Sequence, residues 1–278
     1  MNSWLLVDAN SLANRAYYAV GQEPALAAHV MFRELFSIMD VLGVRDVAWC
    51  FDGGASKRIE ILPTYKESRK ERHAAKPKAE QESRSLLNAT LNSIRENLES
   101  AGYRNVFHAP GYEADDLIAM AALAVKEDEE AVIVSSDHDL FQLINARVIM
   151  WHLGRKRAIN LRSFVEEFDI RPSKWAFVKA MAGCSTDDIP GIEGVGEILA
   201  VRYLTGSLGE STKAFKAIRA NVEMCKRNLT LVKLPFPGTP ECALHKDEVT
   251  RERWGQFCEK MGFELLKDLY PFPIAGKG

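Results

Sequence analysis

The chain has 278 residues, 47% hydrophobic and 27% charged, with a formal net charge of −2. That is the profile of a soluble globular protein, long enough for one large domain or one and a half ordinary ones. No apolar run approaches the roughly 20 residues of a membrane span, and no basic leader precedes the first strand pattern, so neither a membrane location nor a signal peptide is expected. Five cysteines (50, 184, 225, 242, 258) make an odd count without a Cys-x-x-Cys pair, which argues against a disulfide framework or zinc site and for a reducing cytoplasm.

Residues 4–7 and 47–51 read as short buried strands, with a helical period over about 24–42 between them. Residues 53–80 follow, with Gly53-Gly54, two prolines and many charges, and read as a mobile, partly helical excursion above the sheet edge. The stretch 57–84 holds nine Lys/Arg against five Glu, so an overall acidic chain carries a locally basic segment of +4. Lys213, Lys216, Arg219, Lys226 and Arg227 form a second basic group. Each run is also what a solvated helix face looks like.

Helical periods at about 80–101 and 113–126 lead to strands at 132–135 and 147–151, and Gly154–Arg157 reads as a tight hairpin loop. Strands alternating with helices imply an α/β fold, a mostly parallel central sheet with helices on both faces. Beyond about 160 the strand signal fades. Helical segments at 163–168, 174–181, 198–204 and 214–226, an extended crossing at 234–240 and a last helix at 251–269 complete the chain. The expected division is an α/β domain over 1–170 and a helical unit over 171–278 whose final helix packs back.

Seven carboxylates sit at the ends of apolar runs or beside glycine-rich turns: Asp8, Asp52, Glu113, Asp115, Asp137, Asp139 and Asp187. Residues just past parallel strands converge on one sheet edge. Crowded carboxylates are costly unless a cation neutralises them, and all-oxygen clusters suit Mg²⁺ or Mn²⁺. Taken singly, an Asp after a strand is more often a turn residue or helix cap; the recurrence is what points to metal. Two ions about 3.5–4 Å apart are the usual apparatus for phosphodiester hydrolysis. Asp116, one turn from Glu113, reads as a ligand or as an acceptor behind one.

Ile189-Pro-Gly191-Ile-Glu-Gly194-Val195-Gly196 places three glycines before a helix, where backbone N–H groups can approach a phosphate or a monovalent cation. A dinucleotide-binding loop does not fit, because a helix and not a strand precedes it. Lys57-Arg58, Tyr65-Lys66 and Arg69 interleave an aromatic with cations, a pattern suited to single-stranded nucleic acid.

Taken in order, these motifs resemble the 5′ nuclease family of phage and bacterial flap endonucleases and the 5′→3′ exonuclease domain of bacterial DNA polymerase I. The resemblance runs from Leu6-Val-Asp8-Ala-Asn-Ser through Phe51-Asp52, Arg58, Tyr65-Lys66-x-x-Arg69, Glu113-Ala-Asp115-Asp116, Ser136-Asp137-x-Asp139 and the glycine hairpin to Met261-Gly-Phe-Glu-Leu-Leu266. It implies a helical arch at about 53–100, a C-terminal helix–three-turn–helix unit binding duplex DNA with K⁺, and Mg²⁺- or Mn²⁺-dependent cleavage at 5′ flaps or 5′ ends during replication. Branched or nicked duplex DNA, and possible RNA primers, are the implied partners of a monomer in a bacterial or phage-infected cell. Asp8, Asp52 and Asp115 would hold one ion with Glu113 between sites; Asp137, Asp139 and Asp187, supported by Asp188, the second. Lys66 and Arg69 would offset charge on the phosphate, Arg58 and Tyr65 would contact DNA with Tyr65 stacking on a base, and Gly191, Gly194, Val195 and Gly196 would grip the duplex. One departure stands out: Cys184 occupies a position where the family usually has a ligating Asp, and a thiol is a poor donor to Mg²⁺. That departure opens one alternative, a branched-DNA-binding protein with weakened catalysis; an RNase H-like 5′ nuclease is a separate one.

Overall fold

The computed structural model describes residues 2–272. A six-stranded sheet has the order β3-β2-β1-β4-β5-β6, formed by β1 (Asn2–Asp8), β2 (Asp46–Phe51), β3 (Asn105–His108), β4 (Glu129–Ser135), β5 (Val148–His152) and β6 (Arg157–Ile159). All pairs are parallel except β5–β6, an antiparallel hairpin across the expected Gly154–Arg157 turn. Order reverses between β1 and β4, so the topological switch point opens at the carboxyl end of β1.

Near-continuous apolar runs form these strands because both faces are covered. Leu5, Val7, Val47, Trp49, Val132 and Val134 face one core, while Trp4, Leu6, Ala48, Cys50, Ala131 and Ile133 face the other. The first is closed by α1 (Ala9–Ala19), α2 (Pro24–Leu42), α5 (Lys78–Asn97) and α12 (Arg251–Met261). The second is closed by α6 (Ala114–Ala124), α7 (Leu161–Phe168) and α8 (Trp175–Ala182), and runs on into α9 (Glu197–Leu204) and α10 (Lys213–Ala220).

Three elements differ from the sequence expectation. β3 has four residues and sits at the sheet edge, too short and too polar to show as an apolar run. The excursion after Asp52 is helical through most of its length, with α3 (Ser56–Ile61) and α4 (Glu67–Ala74) leading into α5. The expected helix at 214–226 is two, α10 and α11 (Val222–Val232), broken at Asn221. Among the described residues no helix is long and apolar enough to cross a membrane.

Candidate metal centre

Gly53 sets the geometry of the sheet edge. Its N–H donates to Tyr112 O at 2.9 Å and its carbonyl accepts from Gly111 N at 2.8 Å. A Cβ there would stand 1.9 Å from Ala109 O, so only glycine allows this approach. The bond pair draws the loop after β2 against the loop before α6 and so brings Asp52 toward Glu113 and Asp115.

The carboxylates are held by backbone donors. Asp8 caps α1, accepting from Ser11 N at 2.8 Å, and its second oxygen accepts from Ser135 Oγ at 3.2 Å. Asp52 accepts from Gly54 N at 2.7 Å, and its own N–H donates to Asn10 Oδ1 at 2.9 Å. Asp137 accepts from Asp139 N at 2.8 Å, which fixes the turn after β4. Burial pushes the carboxyl of Asp8 up to about 7, with Asp137 and Asp52 adding repulsion. Asp139 is likewise raised to about 7 by burial and then by Asp137. Asp115 is raised well above the usual carboxylate range by burial, Asp137, Asp8 and Glu113. Asp52 and Asp187 are raised by burial first, partly offset by backbone and cationic partners. Mutual repulsion thus links all seven expected carboxylates into one cluster, as the convergence of strand ends predicts.

Two arch cations reach that cluster. Lys66 Nζ is hydrogen-bonded to Glu113 and lies 3.6 Å from Asp187 Oδ1, while Arg69 Nη2 lies 3.1 Å from the same oxygen. Lys66 has a left-handed backbone (φ 57°), and its N–H donates to Asp187 O at 3.0 Å. The arch base and the second acidic turn are therefore stitched together by main chain as well as by charge.

Six expected site residues are engaged in structural contacts of their own. Arg58, expected at DNA, is 2% exposed; it binds Asp116 through two bonds of 2.6 and 2.8 Å and donates to Leu231 O at 2.9 Å. Asp116, expected near the metal, is fully buried, and beyond Arg58 it accepts from Phe236 N and Glu113 N at 2.9 and 3.1 Å. Its oxygens are committed to joining α3, α6 and the chain after α11. Tyr65 is buried and donates to Glu113 Oε2 at 2.7 Å, so its ring is not available to stack on a base. Asp188 turns away from the cluster and accepts from Ser68 N at 2.8 Å, capping α4. Gly191 lies against the backbone of Ala182, whose oxygen would be 2.0 Å from an added Cβ, whereas Gly194 and Gly196 face open space. The side chain of Val195 is buried, and its N–H donates to Ile192 O at 2.9 Å.

Sequence reasoning missed a cavity of about 440 Å³ between α1 and the arch, lined by Tyr17, Tyr18, Arg69, Arg72, Lys76 and Arg84. The spacing of Arg69, Arg72 and Lys76, three and then four residues apart, is the signal that places cations on one helical face. It also missed Lys179, buried in α8 with Nζ 3.3 Å from Asp139 Oδ1.

The donor set fits divalent cations. Asp8, Asp52, Glu113, Asp115 and Asp137 offer oxygen alone, which hard ions such as Mg²⁺ and Mn²⁺ take, and their crowding is what such a charge relieves. Asp139 and Asp187 belong to the same cluster but share their end of it with Cys184.

The family model described as "5′-3′ exonuclease, N-terminal resolvase-like domain" matches residues 3–169. The chain belongs to this exonuclease family. Thermostable DNA polymerase I of Thermus thermophilus is 30% identical over 283 residues, covering 94% of this chain and 32% of that protein. A 5′-3′ exonuclease of Mycoplasmopsis pulmonis is 32% identical over 202 residues, covering 70% of this chain and 63% of its own length. The exonuclease-family chain thus spans about a third to under two thirds of these curated relatives. Its fold matches that of the bacteriophage T5 D15 flap endonuclease in a pseudo-enzyme–product complex with DNA and metal ions. That match has a TM-score of 0.72 at 22% identity and covers 84% of this chain and 89% of that one. It also matches the catalytic core of Rad2 in complex with DNA substrate, with a TM-score of 0.53 at 14% identity over 95% of this chain and 91% of that one. At these identities the likeness is one of fold.

Proposed function

We propose that this chain is a divalent-metal-dependent 5′ nuclease that hydrolyses DNA phosphodiesters at 5′ flaps and 5′ ends, removing flaps or primers in replication. The observation that carries the reading is the convergence of seven carboxylates on one sheet edge, with Lys66 and Arg69 of the arch reaching into the same cluster. Membership of the exonuclease family and the fold shared with flap endonucleases support it.

Asp8, Asp52 and Asp115 would hold one ion, Asp137, Asp139 and Asp187 the other, with Glu113 between them. Magnesium or manganese held there supplies a nucleophilic water at neutral pH and offsets charge on the phosphate. Ser11 N and Ser135 hold Asp8 in one orientation, so this donor needs no reorganisation. Arg69 lines the cavity beside α1 and reaches Asp187, with Lys66 behind it on Glu113, so their charge would meet a phosphate entering from that side. Arg72, Lys76 and Arg84 extend the same positive path for the 5′ single strand. The helical segments after residue 171 would form the helix–three-turn–helix unit. There the open backbone at Gly194 and Gly196 would meet the duplex and a potassium ion, and the basic group at 213–227 would contact phosphates. The same reading takes the chain as a cytoplasmic monomer that also accepts RNA-containing 5′ ends.

Cleavage of a 5′-flap duplex labelled at both ends, with Mg²⁺, Mn²⁺ or chelator, tests the proposal. Metal-dependent product at or near the junction is expected. No product at any metal concentration, with flap binding intact, overturns it in favour of a branched-DNA-binding protein.

A further inference from the structure

Asp139, Cys184 and Asp187 differ in chemistry from the rest of the cluster, and their ligand atoms all lie within 4.8 Å of one another. Backbone bonds fix each. Cys184 N donates to Ile189 O and Ile189 N to Cys184 O, both at 3.0 Å, and Asp187 N donates to Cys184 O at 3.1 Å. This closes a short turn that sets Asp187 beside the sulfur. Asp139 is set from the other side by its N–H on Asp137 at 2.8 Å. Thr186 Oγ1 lies 3.1 Å from Cys184 Sγ, a hydroxyl placed to donate to a thiolate.

Two carboxylates with one thiolate make a mixed donor set. Sulfur is a soft ligand that Mg²⁺ accepts poorly and Zn²⁺ or Co²⁺ accepts well. With metal–sulfur bonds of about 2.3 Å and metal–oxygen bonds of about 2.0–2.2 Å, a tetrahedral ion sets its donors roughly 3.3–3.7 Å apart. The three ligand atoms, all within 4.8 Å of one another, reach that spacing by side-chain closure. We propose that Asp139, Cys184 and Asp187 form a thiolate-containing cation site that prefers a thiophilic divalent transition metal, such as zinc or cobalt, to magnesium, beside an all-oxygen site that takes magnesium or manganese. It rests on the metal-centre reading of the sheet edge. On binding, the Cys184 thiol releases its proton to solvent and a sulfur lone pair forms the new bond, with no change of oxidation state. Arg69 and Lys66, now paired with Asp187, give up that oxygen, and Lys179 gives up Asp139 Oδ1.

The test is a Co²⁺ titration of the full chain, followed by the near-ultraviolet sulfur-to-cobalt charge-transfer band, with Mn²⁺ binding followed in parallel by electron paramagnetic resonance. A band saturating at one equivalent is expected in the native chain and not in Cys184→Ser. Zinc affinity in that variant should fall by more than roughly tenfold, the loss that even an outer partner of a metal ligand causes. Cys184→Asp should bind two Mn²⁺ without the band, which keeps the test decisive if serine perturbs the loop. Mn²⁺ binding without a band in the native chain, or a band that persists in Cys184→Ser, overturns this inference alone. No binding of either ion overturns the metal centre itself.

Discussion

Asp8 and Asp139 carry carboxyls raised to about 7 by burial and repulsion, against a value near 3.8 in the unfolded chain. Between those values the folded state binds more protons than the unfolded one, so stability falls as pH rises from about 4 to about 7. In chelator the melting temperature should decline across that window, and saturating Mn²⁺ should flatten the decline; a flat profile in chelator would contradict the crowding. For the same reason Asp8→Asn should abolish cleavage while stabilising the metal-free protein by about 1–2 kcal/mol, read by thermal melts beside a flap assay. Lys66→Ala should lower turnover more than DNA affinity, and an effect on affinity alone would remove it from the charge-offsetting role. At this scale the acidic residues were legible in the sequence because each ends a strand or opens a turn. Sequence reasoning gave Asp188 a supporting place beside Asp187, since adjacent carboxylates differ only in which way the chain turns, and Asp188 caps α4 instead. It could not pick Arg58 out of a charge run, because the partner that buries it, Asp116, lies 58 positions away.

Among the contacts that join the arch base to the rest of the molecule are a buried ion pair, Arg58–Asp116, and the cap that Asp188 places on α4. Removing one partner of a fully buried pair leaves the other charge uncompensated, at a cost of about 3–5 kcal/mol. Asp116→Ala should therefore lose stability on that scale in chemical denaturation, and a loss near zero would place Asp116 outside the structural junction. Asp188→Ala removes the cap on Ser68 N, a loss of about 0.5–2 kcal/mol that stays local. Hydrogen exchange in α4 should quicken while that of β1 and β4 does not. The buried strands β1, β2, β4 and β5 were legible because a parallel sheet covered on both faces needs unbroken apolar runs. β3, with four residues at an edge, has no such requirement. The arch helices were obscured by their own composition: α4 buries none of its residues, so no apolar stripe marks it.

Across the whole molecule, the match to the exonuclease family ends at residue 169 but the cores do not. Trp254 lies 5.4 Å, ring to ring, from both Phe32 and Phe36, and its indole N–H donates to Leu266 O at 2.9 Å. Asp247 accepts from Val47 N and Arg104 N at 2.7 and 2.8 Å, tying the segment before α12 to the amino ends of β2 and β3. Trp254→Ala should cost about 3–5 kcal/mol in denaturant unfolding, as loss of a large buried aromatic does. That the last helix rejoins the first core could be anticipated only from its amphipathic pattern, not from any local signal of where it lands. The bonds from Arg58 to Leu231 and from Phe236 to Asp116 have a consequence for biosynthesis. Every proposed ligand has been translated by Asp187, yet the junction beneath Glu113 closes only once residues 231–236 have been made. A nascent chain therefore carries the acidic residues before it has the scaffold beneath Glu113 that aligns them.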